Sequence, residues 1–202
     1  MLRRTLFLAI LCAFASVLCA AAYDASMQHA IAAKVTRVQI VAHTDTDADQ
    51  DIKRAVRDRV LALATELTRD CATVTEANAK ITAALPSIES AAQETVYACG
   101  RAYAVRASLC EVAYPTRVYG AGAGQFALPA GTYIALRVSL GEASGENWWC
   151  VAFPALCLPS AEPDAAARAA GFSEAEVAYI RADAPEVRFW VWEKLRWIFR
   201  RP

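Results

Sequence analysis

Residues able to do chemistry are few in this chain and widely spaced. Histidine occurs only at His29 and His43, so a zinc site would have to recruit cysteines or carboxylates from unrelated positions. Cys150 or Cys157 could serve as a nucleophile with His43 as base, since a thiolate needs a proton acceptor, but no motif joins them. If oxidised, the same two cysteines would close a loop of about eight residues, worth about 2.5 kcal/mol in the chain-entropy model. As thiols they would behave as small apolar groups. Asp45, Asp47, Asp49 and Asp51 alternate as calcium ligands do. However, Gln50 stands where such a loop needs glycine and Val56 where it needs a bidentate glutamate, so the run reads as a helix N-terminus. There is no phosphate loop, dinucleotide fingerprint or serine elbow. These observations predict no enzyme, no cofactor, no metal site and no small-molecule substrate.

The unusual constellation is Asn147-Trp148-Trp149. Successive side chains on a strand point to opposite faces, so adjacent tryptophans cannot both face one core. One reading makes a tryptophan an exposed anchor for a partner. The other has both covered, by the flanking loop and by a closing helix with Trp190, Trp192 and Trp197.

The elements that carry these residues follow a segment suited to export. Arg3 and Arg4 precede an apolar run from Leu6 to Leu18 and the small residues Ala20-Ala21-Ala22, the parts of a signal peptide over residues 1–22. Left uncut, its roughly 17 apolar residues would span ~26 Å, just short of a ~30 Å hydrocarbon core, and would keep the chain near a membrane. Leu18 before Cys19 and Leu11 before Cys12 argue against lipidation. Five cysteines remain beyond the signal, Cys71, Cys99, Cys110, Cys150 and Cys157, an odd number that leaves one unpaired or paired between chains. The 21 basic and 21 acidic residues balance, so no basic field draws nucleic acid.

Residues 35–202 are long enough for a single domain with its own core. Val38, Ile40 and Ala42 alternate with Arg37 and Gln39, the period of a half-buried strand. Ile52, Val56, Val60, Leu63 and Leu67 place one apolar stripe on a helix. Lys53, Arg54, Arg57 and Asp58 fall mostly on its wet side, and Asp49 and Lys53 are spaced as an i, i+4 pair. Thr73-x-x-Glu76 resembles a capping box that opens a second helix to Leu85, after which Pro86 starts a third, ended by Gly100. Alternating strands follow at Val105–Cys110 and Tyr133–Leu140, predicted to pair. Residues 161–170 suggest a weak helix or surface connection, and Ser173-x-x-Glu176 a capping box with Phe172 and Val177 as staple. Residues 187–198 fit either a helix or a strand leading into one. The order predicts an α+β fold, a small and mainly antiparallel sheet packed with several helices.

Three blocks resemble the stage II sporulation protein R family. They are Val41-Ala42-His43-Thr44-Asp45-Thr46 with Val56-Arg57-Asp58-Arg59-Val60; Tyr114-Pro115-Thr116-Arg117-Val118-Tyr119-Gly120 with Leu128 to Val138; and Asn147-Trp148-Trp149-Cys150-Val151 with Phe153-Pro154-Ala155-Leu156-Cys157. The chain departs from that family's pattern at His43, Thr44 and Ala155, which discourages a family-wide role for His43. The resemblance implies a signal exported from the forespore into the space between the forespore and mother-cell membranes. There it would activate a membrane-embedded aspartic protease that processes the sigma factor E precursor. On that view Asn147, Trp148 and Trp149 meet the partner, and a Cys150–Cys157 disulfide fixes their loop.

Overall fold

The computed structural model describes residues 2–120, 125–154, 156 and 162–181. It begins with α1, Leu2–Ala32, whose stretch from Arg3 is long and apolar enough to cross a membrane, a property that a signal segment shares. Leu6, Phe7, Phe14 and Leu18 all face outward. The last turns behave differently. Met27 and Ile31 join a core cluster, Tyr23 packs edge-on against Tyr179, and Asp24 accepts a hydrogen bond from the Tyr179 hydroxyl at 3.2 Å.

Strand β1, Thr36–Val41, leads into α2, Asp47–Thr68, and α3, Val74–Ala98. Thr46 caps α2 by accepting from the Asp49 amide at 3.3 Å, which satisfies one of the orphan donors of the first turn. Thr73 does the same for α3 through the Glu76 amide, while the Glu76 carboxylate accepts from Ala72 N–H. α3 runs unbroken through Pro86, against the two helices expected from sequence. Proline removes the donor for the Thr82 carbonyl and costs about 3 kcal/mol within a helix. Ala77, Ile81, Ile88, Ala92 and Val96 lie buried on both sides of it, and burying each large aliphatic side chain returns about 1.5–3 kcal/mol, so one continuous helix wins. Gly100, at φ +75°, ends α3, with the Arg101 amide reaching back to the Val96 carbonyl at 3.2 Å.

The second half is β2, Val105–Tyr114; β3, Arg117–Tyr119; β4, Phe126–Leu128; β5, Gly131–Leu140; β6, Asn147–Phe153; α4, Pro163–Ala169; and α5, Glu174–Ile180. Four strands form a mixed sheet in the order β2-β5-β1-β6. β2 pairs antiparallel with β5, as the two alternating patterns predict, β5 runs parallel to β1, and β1 antiparallel to β6. β3 and β4 make a small separate hairpin within what reads in sequence as a loop. Ser173 and Glu176 complete the expected capping box of α5, with Phe172 and Val177 buried beside it. The alternatives for residues 187–198 lie outside the described residues. The fold is α+β, as expected.

Both faces of the sheet are covered. Val38, Ile40, Leu136, Val138, Leu140, Cys150 and Ala152 pack against α2 and α3. Tyr114, Tyr133, Ala135 and Val151 pack on the other side with the end of α1, the small hairpin and α5. Alternation in β1 predicts one wet face, yet all six of its residues are buried, Arg37 completely. The second layer, drawn from segments far along the chain, is what closes over Arg37 and Gln39.

Candidate functional site

Asn147, Trp148 and Trp149 open β6, the outer strand of the sheet among the described strands. Two loops hold this opening in place. From the loop after β1, Asp45 Oδ1 accepts from the Glu146 amide at 2.6 Å, and the Ala42 carbonyl accepts from the Gly145 amide at 3.1 Å. His43 Nδ1 accepts from the Glu142 amide at 3.0 Å while its ring stacks on Tyr103, 4.6 Å between centroids. His43 is therefore a strut between loops. A Cβ at Gly145 would lie 2.4 Å from the Thr44 carbonyl oxygen, so the close approach of the two loops requires glycine there.

Beneath the loops lies a charged network that sequence spacing misassigns. Asp49 and Lys53 are buried rather than wet, and Lys53 donates to Gln50 and to the Glu146 carbonyl at 3.1 Å instead of pairing with Asp49. The loop before β6 folds back over this turn of α2 and gives Lys53 its acceptor. Burial lowers the Lys53 pKa against the charges of Glu146 and Asp45. Asp49 is held below the usual carboxylate range mainly by the Thr44 hydroxyl, against the penalty of burial. Burial and the Asp49 charge push Tyr103 up to about 12. The aspartate run thus closes a helix start and a loop.

Trp148 and Trp149 are each half-covered, on opposite faces. Trp148 leans on the aliphatic cluster with the Arg57 guanidinium 5.5 Å from its ring. Trp149 meets Tyr114 edge-on at 4.5 Å, with Arg117 at 5.8 Å. The strand rule holds, but its consequence changes, because a sheet with two cores gives each tryptophan its own layer. Asn147 is exposed, and its Oδ1 accepts from Gln39 at 2.7 Å. The expected cover from Trp190, Trp192 and Trp197 lies outside the described residues.

Beside these residues runs an open groove of about 690 Å³, lined by Arg117, Val118, Tyr119 and Glu146 with the Asn147–Trp149 block. Behind it sits Arg37, its guanidinium 3.8 Å from the Tyr114 ring, 4.9 Å from Tyr133 and 5.6 Å from Tyr119, and donating to the Tyr119 hydroxyl. Burial raises the pKa of Tyr114 and of Tyr133 well above the ordinary value, with Arg37 pulling the other way, so both phenols stay neutral. Sequence reading assigned no role to Arg37, Arg117, Tyr114 or Tyr119. The one available signal was an arginine at an alternating position of an otherwise apolar strand.

Cys150 is 3% exposed in the aliphatic cluster, too deeply buried to be an accessible nucleophile. Cys157 lies outside the described residues, and with it the expected Cys150–Cys157 disulfide.

A family model described as stage II sporulation protein R matches residues 32–162, more than half of the chain. The stage II sporulation protein R of Bacillus subtilis strain 168 is 37% identical over 122 residues, which cover 60% of this chain and 53% of that relative. The match therefore spans about half the length of the curated relative. No solved structure matches. The matched region contains the whole four-stranded sheet, both pinned loops and the groove.

Proposed function

Since this chain belongs to the stage II sporulation protein R family, we propose that it is an exported sporulation signal rather than a catalyst. On this reading it leaves the forespore and engages a membrane-embedded aspartic protease of the mother cell. The protease then processes the precursor of sigma factor E. The observation that supports a recognition role is the half-open Trp148–Trp149 block, held rigidly at the outer end of a sheet and bordering a groove. Aromatic side chains positioned in this way supply contact area at low entropic cost. The apolar α1 fits export toward the facing membrane.

Co-expression of the chain with the protease and the sigma precursor in a non-sporulating host tests this. Processing should depend on α1-directed export, and replacing both Trp148 and Trp149 with alanine should abolish it while circular dichroism still reports a folded domain. Full processing by the folded double variant would sink the contact role.

A further inference from the structure

We propose that the groove beside Trp149 is a carboxylate-binding site that receives an acidic side chain from an extended segment of a partner protein. The proposal rests on the recognition reading above only for whose segment it is. Its first support is charge. On the face of the sheet that bears Trp149, the register positions of the four strands include the buried Arg37, the half-buried Arg137 and the exposed Arg106 and no aspartate or glutamate, and β3 adds Arg117.

The second support is unmet hydrogen bonding. Arg37 is fully buried, and among the described residues its Nε and Nη1 have no partner; nor do Arg137 Nε and the Tyr114 hydroxyl. No carboxylate pairs with Arg37 among the described residues. Gln39 Oε1 on the same face is unpaired too, but the donors outnumber this acceptor four to one, and since proteins leave few buried polar atoms unmet, the cluster behind the groove calls for an acceptor. Three tyrosine rings stabilise the cation through their faces, and of its three nitrogens only Nη2 finds an acceptor, the Tyr119 hydroxyl.

Access comes through Tyr119, which both lines the groove and accepts from Arg37. Arg117 is exposed at the rim, so an entering anion meets Arg117 directly and feels the buried Arg37 charge through Tyr119. The depth selects among anions. A flat phospholipid surface meets only the exposed Arg117, whereas a side-chain carboxylate on an extended segment laid along β6 enters the groove as far as Tyr119, whose hydroxyl stands between it and the Arg37 charge. Glu146, an acidic residue on the groove wall, opposes an anion and sets the threshold for entry.

The test uses the full chain in nonionic detergent and fluorescence anisotropy with a rhodamine-labelled, capped Gly/Ser octapeptide carrying two central glutamates, alongside its glutamine counterpart. The glutamate peptide should bind about tenfold more tightly, as one charge-assisted pair allows. Arg117→Gln should remove most of that preference, and Glu146→Gln should increase it; both residues are exposed, so neither change threatens the fold. Equal affinity for the two peptides, or a preference indifferent to both substitutions, overturns the site. Arg117-dependent binding of phosphatidylglycerol vesicles without a glutamate preference overturns it in favour of a lipid surface. Intact preference with failed sigma processing would instead overturn the sporulation reading and leave the site standing.

Discussion

On the side of the sheet under α2 and α3, Val38, Ile40, Leu136 and Val138 meet other aliphatic groups, and no buried polar atom among them lacks a partner. On the opposite side the same strands present Arg37, Gln39, Arg137, Tyr114, Tyr133 and Trp149, with five side-chain nitrogen and oxygen atoms that are buried and unpaired among the described residues. The two faces differ by one register step in a period-2 pattern, yet they do different work. Apolar burial on the first face is stabilisation with nothing left over. The second face keeps a desolvated cation with no carboxylate partner among the described residues, which costs stability and, on the proposal above, prepares the protein for a charge supplied from outside.

The two faces should therefore respond differently to truncation. Ile40→Ala should cost about 2–5 kcal/mol in urea unfolding, since Ile40 is fully buried. Arg37→Met, which removes a buried charge and keeps most of the volume, should fall between about 1 kcal/mol of loss and about 2 kcal/mol of gain, as replacing buried charges by apolar groups often does. A loss from Arg37→Met larger than that from Ile40→Ala would break the comparison.

A smaller effect is expected where the loops hold β6. Gly145→Ala should destabilise by about 1–3 kcal/mol, because the new methyl group meets the Thr44 backbone oxygen rather than a movable side chain. The same substitution should blue-shift or broaden the tryptophan fluorescence, reporting displacement of Trp148 and Trp149. Unchanged stability and spectrum would mean that the loops do not position the tryptophans.

The smallest effect concerns acid. Burial raises the Glu176 pKa, but hydrogen bonds from Lys34 at 2.6 and 2.8 Å and from Ser173 outweigh it, and the carboxyl is held below its ordinary value. A depressed folded pKa gives stability that is present above the unfolded value near 4.3 and lost as pH falls through the lower folded value. Lys34→Met should therefore remove up to about 1 kcal/mol at pH 7 and flatten the loss of stability below about pH 4. Because this pair fastens α5 to the chain just before β1, its loss should loosen the arginine-bearing side and spare the α2–α3 side, a difference that hydrogen exchange resolves.

Periodicity in the sequence was enough to locate β1, α2, β2, β5 and the capping boxes, because those signals depend on neighbours within a few residues. Pro86 misled because local proline chemistry was weighed without the stripe of Ile81, Ile88 and Ala92 that α3 buries as one unit. Lys53 misled for a related reason: its acceptor, the Glu146 carbonyl, lies about a hundred residues away, as does the Glu142 amide that makes His43 a strut. The tryptophan pair was visible, and so was the rule that its members face opposite ways.

By itself the sequence determined the α+β class, an apolar first helix suited to export, and a family resemblance carried by blocks such as Tyr114–Gly120 and Asn147–Cys150. Tertiary structure alone decided that the sheet is covered twice, so that Arg37, on what local alternation reads as a wet face, lies buried among Tyr114, Tyr119 and Tyr133. The physical reason is that alternation records which side chains share a face, whereas burial depends on what distant segments are laid over that face.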